Sequence, residues 1–120
     1  MFEKDKLTIL STLEALSKIC EYSRDYENAD EFFQNQRDFD ATMMNFIMVG
    51  EMVARLSDGF MEKFGQVEWY KIRAFRNIIA HNYFGIDAEE VWDIIQTHLP
   101  KLKADLNKIL AEIEFVSEKT

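Results

Sequence analysis

Apolar residues return every three or four positions along most of this chain, and nowhere do they alternate with polar ones over the length of a strand. A repeat of three to four puts the apolar residues of a segment on one helical face, whereas a strand needs a repeat of two. One proline, Pro100, and four glycines leave few points at which such segments can break. The expected fold is therefore all-α, an up-and-down bundle of four to five helices. Residues 1–120 are read as a single domain, a length sufficient for one real core.

The pattern begins with Ile9, Leu13, Leu16, Ile19 and Cys20, which predict an amphipathic helix over about 6–22. A polar stretch over 24–38 follows, with one short helical turn expected near 31–34. Asp38 or Asp40 is the expected cap of a second helix over 41–56. That helix carries Met43, Phe46, Ile47, Val49, Met52, Val53 and Leu56 on most of its sides and reads as largely buried. Ser57, Asp58, Gly59 and Gly65 bracket a loop or helical turn before a third long helix over about 67–84. Gly85 stands where a left-handed residue would end it. Asp87 and Glu90 resemble a capping box for the last helix, whose stripe runs Val91, Ile94, Ile95, Leu99, Leu102, Leu106, Ile109 and Ile113. Pro100 should kink or interrupt that stripe.

Net charge narrows the partners. At −8 the chain is a poor general polyanion binder, because affinity for nucleic acid comes chiefly from Lys and Arg at phosphates. The window from Trp69 to Phe84 is different: it holds Lys71, Arg73 and Arg76 and no acidic residue, so it is +3 and the remainder −11. A lone cysteine cannot form an intramolecular disulfide, and the opening residues carry no basic-then-apolar leader. No apolar run is long enough to span a bilayer, so a cytoplasmic protein away from membranes is expected.

The charged window also has an unusual face. At about 100° per residue, Ile72, Phe75, Ile78 and Ile79 share one side and are expected to meet the core. Trp69, Tyr70, Arg73, Arg76, Asn77, Ala80, His81 and Phe84 occupy the other side. Aromatic residues and arginine around a small alanine suit the centre of an interface, and a two-fold homodimer is the expected use. Arg76 and His81 lie about 140° and about 7.5 Å apart on one helix. Two copies packed antiparallel across Ala80 would gather both pairs in one cleft.

These residue types suit cleavage of an RNA phosphodiester. An imidazole can take a proton from the ribose 2′-hydroxyl or give one to the departing 5′-oxygen. Arginine offers a fixed cationic fork to the phosphoryl oxygens, and Asn77 can orient either group. The nucleophile belongs to the substrate, so neither metal nor cofactor is required. Read by residue type alone, the same set also fits an ordinary interface.

The run RNIIAHNYFGID, residues 76–87, resembles the signature of HepT-like HEPN domains, Arg-x4-His-x-Tyr with a polar residue after the arginine. Arg76, Asn77, His81 and Tyr83 match it, and VGEMVARLS over 49–57 and the placing of Trp69 extend the likeness to about 6–114. The resemblance implies a dimeric endoribonuclease toxin with RNA as substrate and tRNA as the expected target. It further implies a minimal nucleotidyltransferase as antitoxin partner, transferring AMP to the motif tyrosine, here Tyr83. Added phosphate there would engage the arginine and repel RNA. A non-catalytic helical adaptor that binds a nucleotidyltransferase or a nucleotide remains open beside this, as does a purely structural dimer.

Several residues are assigned supporting roles. Arg73 and Lys71 are candidate phosphate contacts. Glu51 either positions the motif or, as the preferred reading, pairs with Arg55 one turn on. His98 is expected to pack within the last helix's stripe, and the methionines are expected to fill the core. Two histidines and one cysteine give a metal site almost no support.

Overall fold

A computed structural model describes residues 2–119, with side chains over 2–115, and all of its regular structure is helical. The elements are α1 (Glu3–Ser23), α2 (Ala29–Gln34), α3 (Gln36–Ala54), α4 (Asp58–Lys63), α5 (Trp69–His81), a 3₁₀ turn (Tyr83–Gly85), α6 (Ala88–Asp93), a π-helical segment (Ile94–His98) and α7 (Leu99–Lys119). Among these residues, no helix is long and apolar enough to cross a membrane.

α3 is the centre of the bundle, with α1 packed along one side and α5 along another, while α7 returns beside α1. It buries Phe39, Met43, Phe46, Val49, Gly50 and Val53, the recurrence that marks it as an inner helix. Phe46 meets Phe75 of α5 edge to face, with ring centroids 5.1 Å apart. Two aromatic clusters close the ends of the core. Phe32 packs with Tyr26, Phe39 and Trp92; Phe60 packs with Phe2, Phe64 and Trp69.

Several boundaries differ from the sequence expectation, each for a local reason. Asn35, rather than Asp38 or Asp40, caps α3, its side chain accepting from the Asp38 amide at 3.1 Å. Ser57 begins α4 and is held from afar: buried Asp5 accepts from the Ser57 amide at 2.9 Å and from its hydroxyl at 2.8 Å. α5 stops at His81, and Gly85 does not take a left-handed conformation. Instead the Gly85 amide donates to the Asn82 carbonyl at 3.1 Å, closing the 3₁₀ turn. Asp87 caps α6 by accepting from the Glu89 amide at 2.9 Å, without a reciprocal bond from Glu90.

Pro100 leaves its mark upstream of itself. The Leu99 amide donates to the Ile94 carbonyl five residues back, so 94–98 forms a π turn just before the proline. A proline ring inside a helix conflicts with the carbonyl four residues earlier, and the wider turn relieves that conflict while the rod continues into α7.

Phe60 is fully buried at the centre of the second aromatic cluster. Phe60→Ala should therefore lower unfolding free energy by about 4 kcal/mol, read by urea denaturation followed by circular dichroism.

Candidate active site

The charged window lies on α5, and the side that α5 turns inward is not the one its isoleucines suggest. Trp69 and Ile79 are buried, whereas Ile78 is half exposed. Gly50 explains the rotation. A Cβ at that position would come within 2.3 Å of the Arg76 Cβ and 2.6 Å of its Cγ, so a bare backbone on α3 is what admits the arginine stem. The inward face is thereby turned toward Arg76 by about 50° from the purely apolar stripe. Trp69 consequently leaves the proposed outer face and becomes a core residue, its indole N–H donating to the Phe64 carbonyl at 3.1 Å.

Arg76 is half-buried and held at both ends of its fork. Its Nη2 pairs with Glu51 Oε1 at 2.5 Å, and its Nη1 donates to Asn77 Oδ1 at 3.1 Å. Glu51 thus pairs with the motif arginine across the α3–α5 seam, not with Arg55 along its own helix. Its position opposite Gly50's neighbour on α5 is a tertiary fact that helical spacing could not supply. The Arg76 Nε is buried without a partner.

His81 ends α5 with an exposed side chain, and among the described residues nothing in its own chain bonds to it. Tyr83 is carried onto the 3₁₀ turn, away from the helical line that would have stacked it above Arg76. Its hydroxyl donates to Asp40 Oδ1 on α3, and its half-buried ring packs on the core. Asp40 was missed by sequence reasoning, since its contact spans the bundle.

The remaining residues separate onto two flanks. Arg73, Asn77, Ala80 and Phe84 are exposed, Tyr70 retains 68% of its surface, and Phe84 is fully exposed at 102%. On α3, Met44 and Met48 are also exposed, at 57% and 37%, and they fall between Asp40 and Glu51 on one helical face. Reading all methionines as core fillers therefore fails for these two. Lys71 points to the other flank, into an apolar groove of about 420 Å³ lined by Ile72, Phe75, Ile78, Ile94 and Leu102. There it pairs with Glu68 at 2.7 Å. The hydrogen bond from Lys71 holds the Glu68 carboxyl below its usual range, and the same bond holds the ammonium above its own. Lys71 is thus engaged away from the motif. His98 is exposed beside Asp93 rather than packed in the last helix's stripe, because the π turn shifts the register of that face.

Comparison with known proteins gives the following. A family model described as Ribonuclease HepT-like matches residues 12–109. A Methanocaldococcus jannaschii protein named "Gamma-glutamylcyclotransferase and putative RNase" is 30% identical over 91% of this chain, which spans about half of that relative, 49% of its length. Another protein of the same organism, named "Putative RNase", is 31% identical over 84% of this chain and 92% of its own. A Thermococcus cleftensis protein named "Probable ribonuclease HepT" is 24% identical over 80% of this chain and 86% of its own. No solved structure is a significant match.

The two neighbouring aromatics of the 3₁₀ turn should respond differently to truncation. Tyr83→Phe removes a hydrogen bond to a carboxylate and should cost about 1 kcal/mol in thermal or urea unfolding. Phe84→Ala, at a position fully exposed in the single protomer, should stay within about 0.5 kcal/mol of the parent when both are unfolded at dilutions where the protein is monomeric.

Proposed function

Because this chain belongs to the ribonuclease HepT-like family, we propose that it is an endoribonuclease toxin that cleaves RNA, with tRNA as the expected target, by metal-independent transesterification in a site shared by two protomers. Family membership supports the ribonuclease-type function. The observation that carries the finer reading is that one helix, α5, bears both a clamped Arg76 facing α3 and, at its exposed C-terminal end, an unclamped His81.

In this reading the ribose 2′-oxygen attacks the adjacent phosphorus while the bond from phosphorus to the 5′-oxygen breaks. One His81 takes the 2′-proton, and His81 of the partner subunit gives a proton to the departing 5′-oxygen. Arg76 answers the charge that builds on the phosphoryl oxygens, and Asn77 fixes the guanidinium that does so. The products are a 2′,3′-cyclic phosphate and a 5′-hydroxyl.

The exposed apolar residues around the motif support the pairing of protomers. Tyr70 on α5, Phe84 on the 3₁₀ turn and Met44 and Met48 on α3 are all exposed, and such residues are depleted on free surfaces and enriched at interface centres. Arg73 remains a candidate phosphate contact on this flank. Lys71 is no longer one in this reading, since its ammonium serves Glu68 in the groove.

Neutralisation by a minimal nucleotidyltransferase that transfers AMP to Tyr83 completes the proposal. The tyrosine stands on a surface turn between exposed Asn82 and Phe84, where a partner enzyme can reach it once its hydroxyl leaves Asp40. The added phosphate would place negative charge beside a site meant for RNA phosphate.

Purified unmodified protein should cut total tRNA in EDTA and leave 2′,3′-cyclic phosphate ends. His81→Ala and Arg76→Ala should each slow cleavage by about 10²-fold or more while retaining the helical circular dichroism spectrum. A folded dimer that leaves RNA intact would replace the enzyme with the adaptor reading. Phe84→Asp should shift the protein toward monomer in sedimentation and reduce cleavage together, because the site is shared.

A further inference from the structure

Arg76 is the motif residue whose charge this chain already answers. Glu51 takes one N–H of Nη2, Asn77 takes one of Nη1, and the buried Nε is sealed without a partner. A guanidinium carries five N–H groups, so each terminal nitrogen keeps one for a substrate oxygen. The stem beneath them has little freedom, because Gly50 on α3 accommodates its Cβ and Cγ in a space that a methyl group would fill. Glu51 follows Gly50 directly, so the residue that seats the stem and the residue that grips the fork are consecutive on one helix.

We propose that Glu51 is a positioning residue that acts on Arg76 in two opposed ways: it fixes the orientation of the guanidinium and contests the RNA phosphate for its charge. The inference rests on the ribonuclease reading of the site. Both the carboxylate and a phosphodiester are anions directed at the same cation, and they cannot share it without mutual repulsion. The pair is partly solvated, with side-chain exposures of 30% for Arg76 and 48% for Glu51, so the contest is modest and sensitive to salt. Orientation is a matter of hydrogen-bond acceptance and repulsion a matter of charge. Glutamine retains an acceptor oxygen of nearly the same reach and loses the charge, so the two effects can be separated.

The test has a binding arm and a cleavage arm. Binding of a fluorescent RNA oligonucleotide is measured in a His81→Ala background at low and high salt, and single-turnover cleavage is measured with His81 intact. Glu51→Gln should bind RNA about two- to fivefold more tightly at low salt, with the gain shrinking at high salt. Glu51→Ala should slow the cleavage step by about tenfold, and Glu51→Gln by clearly less, because only alanine frees the fork. The Nε–Hε resonance of Arg76, assigned by its loss in Arg76→Lys, should remain near its parental position in Glu51→Gln and move in Glu51→Ala.

Equal slowing by the two variants with no gain in binding would reduce Glu51 to a structural ion pair and overturn the inference. So would unchanged binding and cleavage in both. Absence of cleavage by the parent protein, with tighter binding still seen in Glu51→Gln, would overturn the ribonuclease reading and retain the contest for phosphate at Arg76.

Discussion

The close approach of α3 to α5 at Gly50 governs the rest of the site. Without a side chain at that point, the Arg76 stem lies on the α3 backbone, and the whole of α5 is rolled so that Trp69 and Ile79 face inward. Phe46 and Phe75 fix the same seam one turn away, and the Tyr83 hydroxyl ties its far end to Asp40. As numbering rises along α3 from Asp40 through Gly50, it falls along the opposing segment from Tyr83 to Arg76, so the two run antiparallel. Three contacts of different chemistry thus hold one register. A shift of one residue would break all of them together, which is why the motif's geometry is a property of the pair of helices and not of α5 alone.

That roll also divides the surface of α5 into flanks of unlike chemistry. One flank presents Arg73, Asn77, Ala80 and Phe84 beside the exposed methionines of α3. The other presents Ile72, Phe75 and Ile78 to the groove against the last helix, rimmed by the Lys71 and Glu68 pair. The three cations that make the window +3 in sequence are therefore not equivalent in space. Arg76 faces α3, Arg73 is exposed near the motif, and Lys71 is spent locally against a neighbouring carboxylate. Charge counted along a helix overstates what a phosphate on either flank can meet.

Much of this was legible in the residues. The all-helical class, the buried character of α3 and the apolar stripe of the last helix followed from periodicity, because burial repeats with the turn of the helix. The family was found through the resemblance that the motif's residues carry, and the family match over 12–109 bears out that resemblance. What escaped was tertiary. Periodicity centred the inner face of α5 on its isoleucines, because no rule of spacing reports that a glycine on another helix admits an arginine. For Glu51 the local rule favoured Arg55, one turn along its own helix, over a role beside the motif, and its partner is the motif arginine across the seam. Asp40 was legible only as a possible helix cap, and nothing local pointed to its bond with Tyr83. The glycine within VGEMVARLS was the one available signal, since a glycine inside an otherwise apolar helix marks close approach of another backbone or side chain.

Arg76 and His81 differ in how far this chain determines them. The guanidinium is oriented by α3 and by its own helix, so its direction is settled when the monomer folds. The imidazole stands at a helix end, and among the described residues nothing in its own chain selects between its two nitrogens. A histidine acting as acid or base needs that selection, because only one ring nitrogen carries the proton in the neutral form. Under the proposed function, the missing orienting group must come from outside the protomer, from a second copy or from the RNA. Folding would then prepare the phosphate-binding half of the site, and association would prepare the proton-transferring half. Under that reading, a single protomer holds only part of the site.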